Sequence, residues 1–206
     1  LNWSMRKRTC TSHKIPPNAE ELCVRAFLRL CAAQKLETIH ADFVVNANQS
    51  GVNILPMGSS SYEVKGSTNV HTLTHDEKRQ FTIVLASSML GNILPFQSVW
   101  GGTTDESLPA CSAHQCAEAD ALGFIYAHGD TCHWSSRDST KEWVRVVLDP
   151  YLARMHEKHH LPLTAKSILL LDVWPVHIAN KNSEDFLPWL RWTNPSIITI
   201  FVPGGC

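Results

Sequence analysis

Two residues in the last quarter of the chain have types and spacing that could do chemistry: Asp172 and, five positions on, His177. The segment reads Lys166-Ser167-Ile168-Leu169-Leu170-Leu171-Asp172-Val173-Trp174-Pro175-Val176-His177. A short apolar run bounded by polar residues is the pattern of a strand buried on both faces. An unpaired carboxylate in the middle of such a strand costs several kcal/mol. Asp172 is therefore expected at the strand's C-terminal end, where mixed α/β sheets hold ligands and metals. Pro175 stops the ladder, and His177 follows in the loop. The plainer alternative is that Asp172 caps a strand end by hydrogen-bonding a turn.

The elements that must position these residues can be read along the chain. Asn18 with Glu21 three residues on, preceded by Pro16-Pro17, is a capping-box-like start. Leu22, Ala26, Leu30 and Ala33 recur at helical spacing, which predicts an amphipathic helix from about Ala19 to Leu36, with Cys23 and Cys31 as core residues. Phe43, Val44 and Val45 predict a strand over Ala41 to Asn48, ending in the turn-rich cluster Asn46-Ala47-Asn48-Gln49-Ser50-Gly51. A short strand is expected over Tyr62 to Lys65, then a loop with His71, His75, Asp76 and Glu77. Gln80 to Leu90 and Ile93 to Trp100 read as a hairpin across Gly91-Asn92, completing a three-stranded antiparallel meander.

Gly101 to Ser139 is irregular, with a short helix expected over Ala113 to Leu122, and reads as a functional or lid-like insert. Thr140 to Lys158 is a helix with Trp143, Val147, Tyr151 and Met155 on one face and a kink expected at Asp149-Pro150. His156, His159 and His160 at its polar end read as solvated. After the Asp172 strand come a helix from about Ser183 to Trp192, starting late or bending at Pro188, and a last strand over Ile197 to Val202.

Composition bounds the function classes. The 206 residues are 44% hydrophobic and 18% charged, enough for one good-sized core and not a disordered chain. A net charge of −1 supplies no global attraction to nucleic acid, so such binding needs a local patch, of which Arg6-Lys7-Arg8 is the obvious one. The uncharged stretch Phe81 to Thr104 is too interrupted by Ser, Gly, Asn, Pro and Gln to span a membrane. Residues 1–15 lack the apolar core of a secretory signal. Seven irregularly spaced cysteines argue against a disulfide framework and for a reducing compartment. Cys111, His114, Cys116, Cys132 and His133 fit no standard zinc-finger spacing.

Three antiparallel strands followed by a helix and by parallel strands linked through a helix is the order of a ribonuclease-H-like sheet. The fold class expected is α/β, a ribonuclease-H-like mixed sheet with flanking helices. In that fold the ends of the first and fourth strands lie side by side, the places of Asn48 and Asp172. The chain begins with Leu and stops on a loop after a strand, so it reads as cut at both ends and C-terminally truncated. Residues 1–37 are expected to be a linker and helix joining an upstream DNA-binding region, and 38–206 the sheet domain, with its insert at about 101–139.

Several collinear motifs carry a resemblance. Asn46-Ala47-Asn48-Gln49-Ser50-Gly51-Val52 resembles the N-A-D-Q-T-G motif of pogo- and Tigger-type DDE superfamily transposases. Asp76-Glu77-Lys78-Arg79-Gln80-Phe81-Thr82 is similar to the family's D-E-K-R-x-F-T strand start, and Leu94-Pro95 with Trp100-Gly101-Gly102 to its hairpin. Leu169-Leu170-Leu171-Asp172 with His177 resembles its second-aspartate motif, and Phe201-Val202-Pro203-Gly204-Gly205-Cys206 the strand and loop that follow. Trp3-Ser4-Met5-Arg6-Lys7-Arg8 is similar to the join with the upstream DNA-binding helices.

The resemblance implies a nuclear DDE endonuclease domain that uses two Mg²⁺ or Mn²⁺ ions to cleave and transfer DNA strands. Hard cations need oxygen ligands, and the family supplies three carboxylates. Of these, Asp172 is present, Asn48 stands where the first aspartate belongs, and the third would follow the last residue of this chain. Asp42 shares strand parity with Asn48 but lies about 20 Å away at strand rise, too far to replace it. The implied reading is a transposase-derived domain that has lost catalysis and keeps partial DNA contact. His177 would donate a hydrogen bond toward the metal ligands, Gln49 would orient a nucleotide, and Lys78, Arg79, Arg6, Lys7 and Arg8 would meet phosphates. The alternatives are an active metal-dependent endonuclease, a domesticated protein-binding scaffold and a decayed fragment. No membrane partner is implied, and a homo-oligomer stays open.

Overall fold

The strand beginning at Val44 is the axis of the molecule, because both halves of the main sheet are built outward from it. The computed structural model describes residues 2–7, 16–54, 60–66 and 80–204. Its strands are β1 (Trp3–Lys7), β2 (Val44–Asn53), β3 (Ser60–Val64), β4 (Gln80–Ser88), β5 (Gln97–Trp100), β6 (Ile125–His128), β7 (Ser167–Asp172) and β8 (Ile197–Val202). Six of them form one mixed sheet in the order β6-β5-β4-β2-β7-β8, and β1 pairs antiparallel with β3 in a separate two-stranded sheet. Within the main sheet only the β2–β4 and β4–β5 pairings are antiparallel, so β4 alone runs against the other five.

The polar cluster Asn46 to Gly51 is the first correction to the sequence reading. It is strand, not turn: β2 pairs with β4 from Val45↔Ser88 through Asn53↔Gln80. Cross-strand pairing and the burial of Val45 and Ala47 on one face override the turn preference of Asn and Gly. The expected start of the strand is also displaced. Ala41–Phe43 form a 3₁₀ turn, whose first free N–H, that of Asp42, donates to His40 Nδ1 at 3.2 Å.

The hairpin from β4 to β5 forms as the Gly91-Asn92 signal predicts, with Gly91 at φ 88°. The strand expected over Tyr62 to Lys65 forms as β3, but its partner is β1, so it does not join a meander in the main sheet. The insert also departs from expectation. It holds α2 (Cys116–Ala121) and then β6, which extends the sheet edge parallel to β5.

The helix expected over Thr140 to Lys158 starts earlier, at a Ser136 capping box with Ser139. It runs as α3 (Arg137–Trp143), a π-helical turn over Val144–Leu148 and α4 (Asp149–Lys158). The N–H of Asp149 reaches back five residues to Val144 O, and this wider turn accommodates Pro150, which has no N–H to give. Trp143, Val144, Val147, Leu148, Tyr151 and Leu152 are buried from this helix against Phe43, Val45, Ala47, Val84 and Ala86. Gln97 is fully buried in β5 and donates to Ser139 O at 2.9 Å, tying sheet to helix.

Two shorter helices follow β7: α5 (Pro175–Ile178) and α6 (Phe186–Thr193). Pro188 falls in the first turn of α6, where its missing N–H has no intrahelical partner to lose. The helix therefore starts late and does not bend around the proline.

The first helix, α1 (Ala19–Leu36), has the bounds expected, yet two expectations about it fail, the Asn18 cap and the burial of its cysteines. Asn18 makes no side-chain cap, no residue of the helix is fully buried, and Cys23 is exposed with Cys31 half-buried. Leu30 and Ala33 touch the core and the helix packs beside β8, while Val24, Phe27, Leu28 and Leu36 face outward. No helix among the described residues is long and apolar enough to cross a membrane.

Candidate functional site

The parallel register of β2 and β7 brings the two motif residues together. The last pair on the ladder is Asn46↔Leu170, and Asn48 and Asp172 each lie two residues beyond it. Period-2 alternation puts both side chains on one face of the sheet, Asp172 at the end of β7 and Asn48 beside it within β2, on strands about 4.8 Å apart. Asn48 is exposed, and its Oδ1 accepts the N–H of Gln49 at 2.9 Å. Asp172 is half-exposed, its side chain 43% accessible.

His177 lies on the one-turn helix α5 and not in an irregular loop, and Pro175 begins that turn. Its N–H donates to Trp174 O at 2.9 Å, and its ring is buried against Phe186 at a centroid distance of 6.0 Å. Nδ1 lies 2.8 Å from Asp172 Oδ1, and Nε2 lies 3.2 Å from Gln49 Nε2. Both contacts are satisfied when Nδ1 carries the proton and donates to the carboxylate, leaving Nε2 to accept from the Gln49 amide. The bridge Gln49–His177–Asp172 thus ties the middle of β2 to the end of β7. Gln49 makes this bridge and not the turn bond that its neighbours suggest.

A narrow cleft lies behind the bridge, lined by Asn48, Gln49, Trp143, Leu171, His177 and Phe186, with room for about one water at ≈ 10 Å³. On the open face, Asn46 and Asn48 line a shallow groove of ≈ 330 Å³ with Leu85, Ser87, Ile93 and Phe96. Asp185, in the loop between α5 and α6, adds a second acid at the same end of the sheet. Backbone N–H groups of Asn182 and Lys181, each 2.9 Å from its Oδ2, hold its carboxyl below the usual carboxylate range, with Arg137 adding a bond at 3.2 Å.

Other residues singled out in the sequence are elsewhere. Arg8, Lys78, Arg79, His71, His75, Asp76 and Glu77 lie outside the described residues. Arg6 and Lys7 belong to β1, opposite Ser61 and Ser60. Cys111, His114, Cys116, Cys132 and His133 do not gather into a metal-binding group.

The sequence reading missed a second polar centre, at the opposite end of β2. Asp42 is fully buried there, its Oδ2 2.6 Å from His159 Nε2 and 3.1 Å from Lys158 Nζ, while Asn92 Nδ2 donates to Oδ1 at 2.5 Å. Burial pushes the carboxyl up, but the bonds from His159 and Lys158 outweigh it and leave its pKa below the usual value. The carbonyl of Asp42 accepts from Tyr151 Oη at 2.9 Å. His156 and His159 are therefore not solvated as expected. His156 is buried beside Phe43, and that burial lowers its pKa. The partners stand 116 and 117 residues from Asp42, so no local pattern in the sequence announces them.

No family model, curated protein or solved structure matches this chain.

Proposed function

We propose that the chain is a transposase-derived, DDE-type nuclease-fold domain that has lost phosphodiester cleavage and retains nucleic-acid contact. One observation carries this reading: Asp172 at the end of β7 and Asn48 in β2, each two residues past the last pair of the parallel ladder, lie side by side on the same face of the sheet. The strand order supports it. Reading β5-β4-β2-β7-β8, with β4 alone reversed, gives the arrangement of a ribonuclease-H-like sheet, to which β6 adds one edge strand.

The chemistry of the donors argues for loss of activity. Two close dications require several anionic oxygens to offset their charge. Here one oxygen of Asp172 already accepts from His177, and Asn48 offers a neutral amide oxygen that accepts from Gln49. That set does not fit a pair of Mg²⁺ or Mn²⁺ ions. What Asp172 does instead is bond His177, which reaches Gln49 of β2, and present its other carboxylate oxygen at the end of β7.

The direct test is nicking of supercoiled DNA in Mg²⁺ or Mn²⁺, together with DNA binding at several salt concentrations. We expect no cleavage and a binding constant that falls with salt. Robust cleavage that Asp172→Ala abolishes would overturn the loss of activity, and salt-independent or absent binding would overturn the nucleic-acid contact.

A further inference from the structure

The proposed function leaves the polar centre around Asp42 unused. Among the described residues, the group of His, Cys, Asp or Glu atoms close enough to share a metal ion is His40, Asp42 and His159, with ligand atoms within 4.8 Å of one another. We propose that these three residues form a binding site for a divalent transition metal of the Zn²⁺ class, and that the ion enters by displacing the ammonium group of Lys158.

The donor set selects the class of ion. Two imidazole nitrogens and one carboxylate oxygen suit Zn²⁺, Co²⁺ or Ni²⁺, whereas Mg²⁺ and Ca²⁺ prefer oxygen alone. The spacing is close to what such an ion needs. Ligands about 2.1 Å from a tetrahedral centre lie about 3.4 Å from each other. Here His159 Nε2 and His40 Nδ1 stand 2.6 and 3.9 Å from Asp42 Oδ2, on either side of that value. The two histidine rings are already in contact, with centroids 4.0 Å apart.

The surroundings fix the carboxylate. Asn92 holds Oδ1 and Tyr151 holds the Asp42 carbonyl, leaving Oδ2 toward the histidines, the kind of outer support that orients a ligand. A fully buried carboxylate needs a cation, and Lys158 now supplies one from a side chain that is 56% exposed. A lysine so exposed can return to water when a dication arrives. His40, 44% exposed, opens the route from solvent. Entry costs the hydrogen bond from the Asp42 N–H to His40 Nδ1 and gains bonds to two rings. Three protein ligands leave a fourth position for water. This site lies at the opposite end of the sheet from Asp172 and does not depend on the reading proposed there.

The test is titration of the metal-free chain with Co²⁺, read by its absorption, followed by competition with Zn²⁺. One Co²⁺ per chain is expected, without a sulfur-to-cobalt charge-transfer band. His40→Ala and His159→Gln should each weaken binding by about tenfold or more. Lys158→Met keeps all three ligands and should tighten binding by about two- to fivefold, because the competing ammonium is gone. Absence of saturable binding, a thiolate band, or full affinity in both histidine variants would overturn the site. Unchanged affinity in Lys158→Met would overturn the displacement.

Discussion

The sheet carries an acid at each end, and the two are treated in opposite ways. Asp42 has no exposure and is surrounded by His159, Lys158 and Asn92. Asp172 is half-exposed, and among the described residues it has one histidine contact and one oxygen left over. A buried carboxylate must be fully satisfied to be tolerated, so its partners are part of the fold. An acid with spare capacity at the open end of parallel strands is what a ligand can use. The difference separates an acid that the structure depends on from one that the structure can spare.

Substitutions can break that comparison. The largest effect expected is from Asp42→Ala, which strands His159 and Asn92 and removes the partner of Lys158. It should lower stability by about 3–5 kcal/mol in urea unfolding. A loss under about 1 kcal/mol would mean that Asp42 is no more structural than Asp172.

His177→Ala comes next. It removes a buried ring and both contacts of the Gln49–His177–Asp172 bridge, and should cost about 2 kcal/mol. Asp172→Ala should cost less than about 1 kcal/mol, because its half-exposed carboxylate is screened by water. If unfolding shows Asp172→Ala to be as damaging as Asp42→Ala, the distinction between the two ends fails.

Asp185 sharpens the comparison, since it is a satisfied acid at the Asp172 end. Its folded pKa lies below the unfolded value, so the charged form favours the folded state. Its contribution is complete above the unfolded carboxylate range and is lost as pH falls through the lower folded value. The stability gap between wild type and Asp185→Asn should therefore narrow as the pH is lowered into the acid range. A gap that widens on acidification would reverse the assignment.

What was legible in the sequence follows the same division. Asp172 could be placed at a strand end because a charge cannot sit inside a run buried on both faces. The bounds of α1 followed from its periodicity, and the hairpin from Gly91-Asn92. The strand character of Asn46 to Gly51 was hidden because pairing with β4 is a tertiary effect that local turn preference cannot foresee. Strand β6 was hidden by brevity: Ile125–His128 is four residues in a stretch rich in Gly, Ser and His. The Asp42 centre was hidden by distance along the chain. An Asp directly before Phe43-Val44-Val45 was the one available signal, since a charge at the mouth of a buried strand needs partners from somewhere.

On the proposed function, Asn48 and Asp172, side by side on one face of the sheet, are a single charge short of holding a divalent cation. Mn²⁺ binding to wild type, Asn48→Asp and the Asn48→Asp/Asp172→Ala pair tests it most directly. Asn48→Asp should gain a Mn²⁺ site that the second substitution removes. Asn48→Asp binding no more Mn²⁺ than wild type, or keeping the gained site without Asp172, would contradict it.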